Sequence, residues 1–278
     1  MFVVVNGVKL RVHVQGEGNA APIYTHHGAP GLGTHAEPKR SFGPLAAQYR
    51  IVSFDARGSG ESDAVPPYTH AQWVADLDAL REHFGDDKIV MAGGSYGGYV
   101  AQEYTLAHPD RVTHLILRDT SASRRFEGLA RQNAMARAAE YPDITLELLD
   151  KLFTGRIESD DEFRSAYATI APLYDASTTP AKAAQRVASA TFRYETHNWA
   201  FSQNIPNFDI SGRLHEIKCP TLIVVGRHDW ITPVSASEEI AAGIPNSRLV
   251  IFENSGHSPQ IEESEKFIAL VREFLAGA

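Results

Sequence analysis

The chain has 278 residues, 43% of them apolar, 22% charged and 9% aromatic, which excludes disorder, collagen and coiled coil and leaves enough length for a sizeable core with room for an insertion. Its 26 basic against 34 acidic residues give a net charge of -8, and with no basic run beyond Arg124-Arg125 this argues against nucleic acid or an anionic membrane as partner. In chain order, residues 1–5 read as a first strand closed by an Asn6-Gly7 turn, without the basic leader of a signal peptide. Short apolar runs follow at 8–14, 23–25, 51–54, 89–92, 115–117, 222–225 and 249–252, most of them continuously apolar, the pattern of strands covered on both faces. Helical patterns lie between them at 71–84, 96–107 (stopped by His108-Pro109), 233–243 and 264–275. Strands alternating with helices predict right-handed crossovers and an α/β fold with a mostly parallel central sheet flanked by helices.

The alternation fails over residues 121–213, where Ala-rich and Arg-rich stretches broken at Pro142, Gly155, Pro172 and Pro180 predict several helices and no strand. This stretch is expected to form an inserted helical cap, and 1–120 with 214–278 the catalytic domain. One cysteine, Cys219, cannot form an internal disulfide, and no apolar run approaches the ~18 residues of a membrane span. A cytoplasmic location is the expectation.

Gly93-Gly94-Ser95-Tyr96-Gly97-Gly98 directly follows the 89–92 run and opens a helical pattern, the context that a G-x-S-x-G nucleophile elbow requires. A phosphate-binding loop would need Gly-Lys-Ser/Thr, and no lysine is present. Gly58-Ser59-Gly60-Glu61-Ser62-Asp63 lacks the third glycine of a dinucleotide fingerprint, so no cofactor is predicted.

A serine hydroxyl needs an imidazole to take its proton and a carboxylate to orient that imidazole, in the chain order Ser, acid, His for this kind of sheet. Asp229 follows the 222–225 strand and His257, in Asn254-Ser255-Gly256-His257-Ser258-Pro259, follows the last one. Asp119, after 115–117, is the rival acid. The oxyanion donors are expected to be the amides of Tyr96, next to the nucleophile, and Ala29, in His27-Gly28-Ala29-Pro30-Gly31. His26 and His27 are adjacent, so they face apart, and no third ligand has suitable spacing; no metal is expected. Arg57 reads as a structural ion-pair partner.

These segments together resemble the α/β-hydrolase superfamily and, within it, the proline iminopeptidases. His27-Gly28-Ala29-Pro30-Gly31 is similar to their HGGPG with Ala for the second Gly, residues 55–62 to their DxRGxGxS, and Gly93 to Gly98 to their GGSWGG with Tyr96 in place of Trp. His108-Pro109-Asp110-Arg111-Val112-Thr113 is also family-like. The resemblance implies removal of an amino-terminal residue, often proline, with acidic cap residues binding the free ammonium, and it points to Glu195 in Arg193-Tyr194-Glu195-Thr196-His197-Asn198. If this stretch is helical, Ala188, Phe192, Glu195 and Trp199 share one stripe; Glu195 then binds substrate ammonium or pairs with a nearby Arg.

The expected function is a cofactor-free serine hydrolase that works through an acyl-enzyme on a small amide such as an N-terminal prolyl bond. A carboxylic-ester or lactone hydrolase is the alternative, and a non-catalytic receptor on the same fold a third reading. The partner is a small molecule or short peptide; nothing in the sequence sets the oligomeric state.

Overall fold

The computed structural model describes residues 1–19 and 21–277. Eight strands, β1 (Phe2–Val5), β2 (Val8–Gln15), β3 (Pro22–His26), β4 (Arg50–Phe54), β5 (Ile89–Gly94), β6 (Val112–Arg118), β7 (Thr221–Gly226) and β8 (Ser247–Phe252), form one sheet in the order β1-β2-β4-β3-β5-β6-β7-β8. β1 and β2 are joined by the two-residue Asn6-Gly7 turn, both residues at positive φ, as a hairpin that follows the strand twist demands. β2 pairs antiparallel with β4, and every later pairing is parallel.

The helices are α1 (Ala36–Phe42), α2 (His70–His83), α3 (Tyr96–Ala107), α4 (Glu127–Ala136), α5 (Leu146–Phe153), α6 (Asp160–Ile170), α7 (Pro180–Ala188), α8 (Tyr194–Trp199), α9 (Val234–Gly243), α10 (Pro259–Glu262) and α11 (Ser264–Ala276). Successive strand residues point to opposite faces, and the core divides accordingly. Tyr24, Val52, Met91 and Ile223 pack with Trp73 and Leu77 of α2, Val100 and Tyr104 of α3 and Ile240 of α9. Their neighbours Ile23, Ile51, Val90 and Leu222 pack with Phe42 of α1 and Phe267, Leu270 and Val271 of α11. Helices on both faces explain why the central strands β3, β5 and β7 are buried along their whole length, whereas β2 at the antiparallel edge alternates.

Between β6 and β7 the chain forms α4 to α8 around a core of its own, including Leu149, Leu152, Phe153, Phe163, Tyr167, Ile170 and Phe192. Its two stems are tied together by an antiparallel bridge between Ser123 and Asp209 and by Ile210 N–H donating to Ala122 O at 2.8 Å. Thr145, Ser159 and Thr179 cap the starts of α5, α6 and α7, which fixes where each of these helices begins. Among the described residues no helix is long and apolar enough to cross a membrane.

Candidate active site

Ser95 sits between the last residue of β5 and the first of α3 with φ 54° and ψ -127°. A side chain in that region is strained and persists only where the surroundings over-determine it. The determinants are visible on either side. A Cβ at Gly93 would lie 2.2 Å from Gly97 O, and one at Gly97 would lie 2.3 Å from His27 O and 2.4 Å from His26 O, so strand, helix and the β3 loop close together only around hydrogen atoms. Ser95 N–H donates to Arg118 O at 2.8 Å, and Thr120 Oγ1 donates to Ser95 O at 2.8 Å.

The loops after β7 and β8 bring Asp229 and His257 together: His257 Nδ1–H donates to Asp229 Oδ2 at 2.8 Å, and both side chains are buried. Asp229 is locked by its own turn. Its Oδ1 accepts from the N–H groups of Ile231 (2.9 Å) and Thr232 (3.1 Å), and Oδ2 also accepts from Thr232 Oγ1 at 2.7 Å. All four acceptor positions of the carboxylate are thereby filled, one of them by the imidazole. Asp119, Asp229 and His257 each place one ligand atom within 4.8 Å of the others. A metal there would have to displace the bonds that orient His257, so these residues fit a proton relay better than a cation.

Asp119 is completely buried, at φ 47°, and its Oδ1 accepts from Gly226 N–H at 3.0 Å. Burial, followed by the nearby Asp229 charge, pushes its carboxyl well above the usual range. Of the two acids weighed from the sequence, Asp229 is the one bonded to the imidazole.

Ser95 Oγ and His257 do not hydrogen-bond in this structure. They share neighbours: Ser95, Thr232 and Tyr174 line one cavity, Thr232 Oγ1 lies 3.4 Å from His257 Nδ1, and the Tyr174 ring packs 5.4 Å from the His257 ring. Tyr174 O also accepts from His257 N–H at 2.7 Å, and Glu262 accepts from both Gly256 N–H (2.7 Å) and Ala176 N–H (2.8 Å), so the insertion clamps the histidine loop. Such nucleophile–base bonds are often long before substrate arrives.

Ala29 and Tyr96 line the same cavity. Neither amide N–H has an acceptor among the described residues, and Tyr96, as the first residue of α3, presents its orphaned N–H at the positive end of the helix. The turn carrying Ala29 is held close: a Cβ on Gly28 would be 3.5 Å from Ser95 Cβ. His27 braces this turn from behind, Nδ1–H donating to Gly28 O at 2.9 Å while Nε2 accepts from Ala56 N–H at 3.0 Å. His26 Nδ1–H donates to His27 O at 3.0 Å, and burial pushes its pKa down to about 3. Arg57 pairs with Asp76 at 2.7 Å beneath these loops, both side chains buried.

Glu195 is placed otherwise than its sequence pattern implied. α7 ends at Ala188 and α8 starts at Tyr194, so no continuous helix carries the stripe through Ala188, Phe192, Glu195 and Trp199. The intervening strand-like strap is held out by Thr191 N–H to Leu32 O (3.2 Å) and Arg193 N–H to Gly31 O (2.8 Å). Glu195 is exposed, does not line the cavity and forms no ion pair among the described residues. Thr196 and His197 are the buried residues of that helix.

The rest of the cavity wall is aromatic and aliphatic, with Phe126, Phe153, Phe163, Phe201 and Phe208 prominent; Glu127 and Arg124 are its carboxylate and its guanidinium among the described residues. Burial raises the Glu127 carboxyl, against the opposing pull of Arg124 and Arg131, whose Nη1 stands 3.6 Å from Glu127 Oε2. Thr232, Tyr174 and His197 escaped the sequence reading. Only Thr232 carried a local signal, an Asp followed three residues later by Thr-Pro, the spacing of an Asx-type turn.

Fold and site define the class, and comparison with known families agrees: the family described as the alpha/beta hydrolase fold matches residues 21–264, and the chain belongs to it. It is a hydrolase. Over 277 residues it is 37% identical to the proline iminopeptidase PfmaB of Pestalotiopsis fici, covering 99% of this chain and 98% of that one. It is 30% identical over 283 residues to a 2-hydroxy-6-oxononadienedioate/2-hydroxy-6-oxononatrienedioate hydrolase of Klebsiella pneumoniae subsp. pneumoniae, covering 98% and 93%. Among solved structures, an esterase from Exiguobacterium antarcticum superposes with a TM-score of 0.78 over 99% of each chain at 23% identity, a likeness of fold.

Proposed function

We propose that this hydrolase cleaves a small carboxylic ester or amide, largely apolar in its acyl part, through an acyl-enzyme formed on Ser95. Ser95 Oγ attacks the carbonyl carbon. His257 Nε2 takes the hydroxyl proton and returns it to the leaving group, Asp229 stabilises the imidazolium, and the Ala29 and Tyr96 amides hold the oxyanion. Water, activated by the same imidazole, then releases the acid. Residues 121–213 act as a cap over this cavity, and 1–120 with 214–278 as the catalytic domain.

The observation that carries the reading is the bonded, buried His257–Asp229 pair, whose neighbours Thr232 and Tyr174 share an apolar cavity with the strained Ser95. A fluorophosphonate probe should label the protein at Ser95, and Ser95→Ala should lose both labelling and p-nitrophenyl butyrate hydrolysis. Labelling at another residue, or none, removes the reading.

A second reading, cleavage of an N-terminal prolyl bond, has support in two relatives named as proline iminopeptidases, at 37% and 31% identity. With Glu195 outside the cavity, the carboxylate available to an ammonium is Glu127. Prolyl p-nitroanilide cleaved much faster than its N-acetyl form, with the advantage lost in Glu127→Gln, would favour it; equal rates would exclude it. A dicarboxylate substrate such as the name of the Klebsiella relative implies finds, among the described residues, only Arg124 as a cation on this wall, which argues against that chemistry here.

A further inference from the structure

His257 stands on the loop between β8 and α10, and part of what holds that loop comes from the insertion. The backbone of residues 174–176 lies so close to it that a Cβ on Gly256 would be 2.5 Å from Tyr174 O and 2.9 Å from Ala176 N. His257 N–H donates to Tyr174 O, and the Tyr174 ring packs edge to face against the imidazole at 74°. Where the base points therefore depends on where residues 174–176 are held.

A single side chain ties them down. Arg186, near the end of α7, donates from Nη2 to the Asp175 carboxylate and, at 3.1 Å, to Ser258 Oγ, and its guanidinium carbon lies 5.0 Å from the centre of the Tyr174 ring. It thus touches the residue after His257 and two of the three residues laid against the histidine loop. The Arg186 and Asp175 side chains are only 17% and 9% exposed, yet none of the described residues of α7 is fully buried, so Arg186 is not there to fill a core. A guanidinium withdrawn from water is costly, and an apolar side chain of similar volume often packs as well in its place. What the apolar side chain cannot do is hold a carboxylate, a hydroxyl and a ring face in one fixed arrangement, which a planar fork of donors can.

We propose that Arg186 is a positioning residue for the base: by joining Tyr174, Asp175 and Ser258 it fixes the histidine loop against the insertion and keeps His257 in the orientation in which it bonds Asp229. This rests on the hydrolase reading above and gives the insertion a part in the chemical step besides covering the cavity. Misplacing a base by about 1 Å costs up to roughly 10²-fold in rate. The loss falls on kcat rather than KM, because the substrate still binds and only the transition state is worse served.

The test replaces Arg186 by Met, which keeps an aliphatic stem without the donors. It follows p-nitrophenyl acetate hydrolysis, fluorophosphonate labelling and the proton resonance of the His257 Nδ1–H held by Asp229. In Arg186→Met, kcat should fall by about 10- to 100-fold with KM within about twofold of wild type. Labelling of Ser95 should slow by a similar factor, and the resonance, sharp in the wild type, should broaden or vanish. Arg186→Lys, which keeps the charge and one bond, should recover part of kcat. Arg186→Met/Asp175→Asn also removes the carboxylate left unpaired, and serves where the single variant does not fold. Lys151→Met, which breaks the pair with Glu162 elsewhere in the insertion, should leave all three readouts as in the wild type. Wild-type kcat in both Arg186→Met variants, a loss confined to KM, or a fall in kcat with the resonance unchanged overturns the proposal. A wild-type protein that is not labelled at Ser95 would instead count against the hydrolase reading alone, since the resonance still reports whether Arg186 holds His257.

Discussion

Replacing Asp229 by Asn tests the proposed relay at its most constrained point. The carboxylate accepts four hydrogen bonds: Ile231 N–H and Thr232 N–H on Oδ1, and Thr232 Oγ1 and His257 Nδ1 on Oδ2. An amide has one oxygen and one NH2 group. The two backbone donors cannot turn away, so they select the oxygen for the Oδ1 position and force the NH2 into the Oδ2 position. Thr232 Oγ1 can rotate to accept from it. His257 Nδ1 must become an acceptor, which moves the ring proton to Nε2, where it faces the serine and leaves no base. Every polar group stays matched, so stability should change by no more than about 1 kcal/mol. The rate should fall by about 10⁴, the loss expected when an imidazole is held in the wrong tautomer, or roughly 5.5 kcal/mol of transition-state stabilisation. Initial rates of p-nitrophenyl butyrate hydrolysis, with urea unfolding as the control, measure both quantities. Asp119→Asn keeps the oxygen that accepts from Gly226 N–H and should stay within a few-fold of wild type. An Asp229→Asn enzyme within tenfold of wild type, or an Asp119→Asn enzyme equally crippled, would refute the reasoning and move the acid to β6.

Other expectations concern the scaffold. Gly97→Ala sets a Cβ against two backbone carbonyls, at 2.3 and 2.4 Å, and should destabilise by about 3 kcal/mol, the upper end for overpacking, read as a lower urea midpoint at unchanged slope. Arg57→Met strands the buried Asp76 carboxylate and should cost about 3–5 kcal/mol, of which Arg57→Met/Asp76→Asn should recover part; no recovery would mean that the loss is one of packing. His197 is held down to about 4, so below pH 6.5 the unfolded chain takes up a proton that the folded chain refuses. Its contribution to stability is therefore full above pH 6.5 and declines as pH falls toward 4, by on the order of 3 kcal/mol. Asp119, pushed up, has the opposite slope, so the measurement is the difference in unfolding free energy between wild type and His197→Phe across that range. A difference that does not vary with pH would contradict the neutral, buried imidazole.

The strands, the helices α2, α3, α9 and α11 on the sheet and the elbow were legible because each is written in contiguous residues. Residues 89–92 are continuously apolar since both faces of β5 are covered, Gly93 and Gly97 flank Ser95 since nothing larger fits where α3 packs on β5 and on the end of β3, and Asp229 and His257 stand where strands end. Chain order and position after a strand favoured the pair that the structure bonds at 2.8 Å, although Asp119 satisfied the same order. Glu195 and His197 were decided by tertiary contacts. The stripe through Glu195 assumed an unbroken helix, and that helix is interrupted because Thr191 and Arg193 give their N–H groups to Leu32 and Gly31, far upstream in the chain. The same break turns Glu195 to solvent and His197 inward, between two phenyl rings contributed by α6 and by the turn after α8. Local periodicity reports which residues share a face of an element. Where the element stops, and what its face meets, depends on hydrogen-bond partners supplied from elsewhere, and those exist only once the chain is folded.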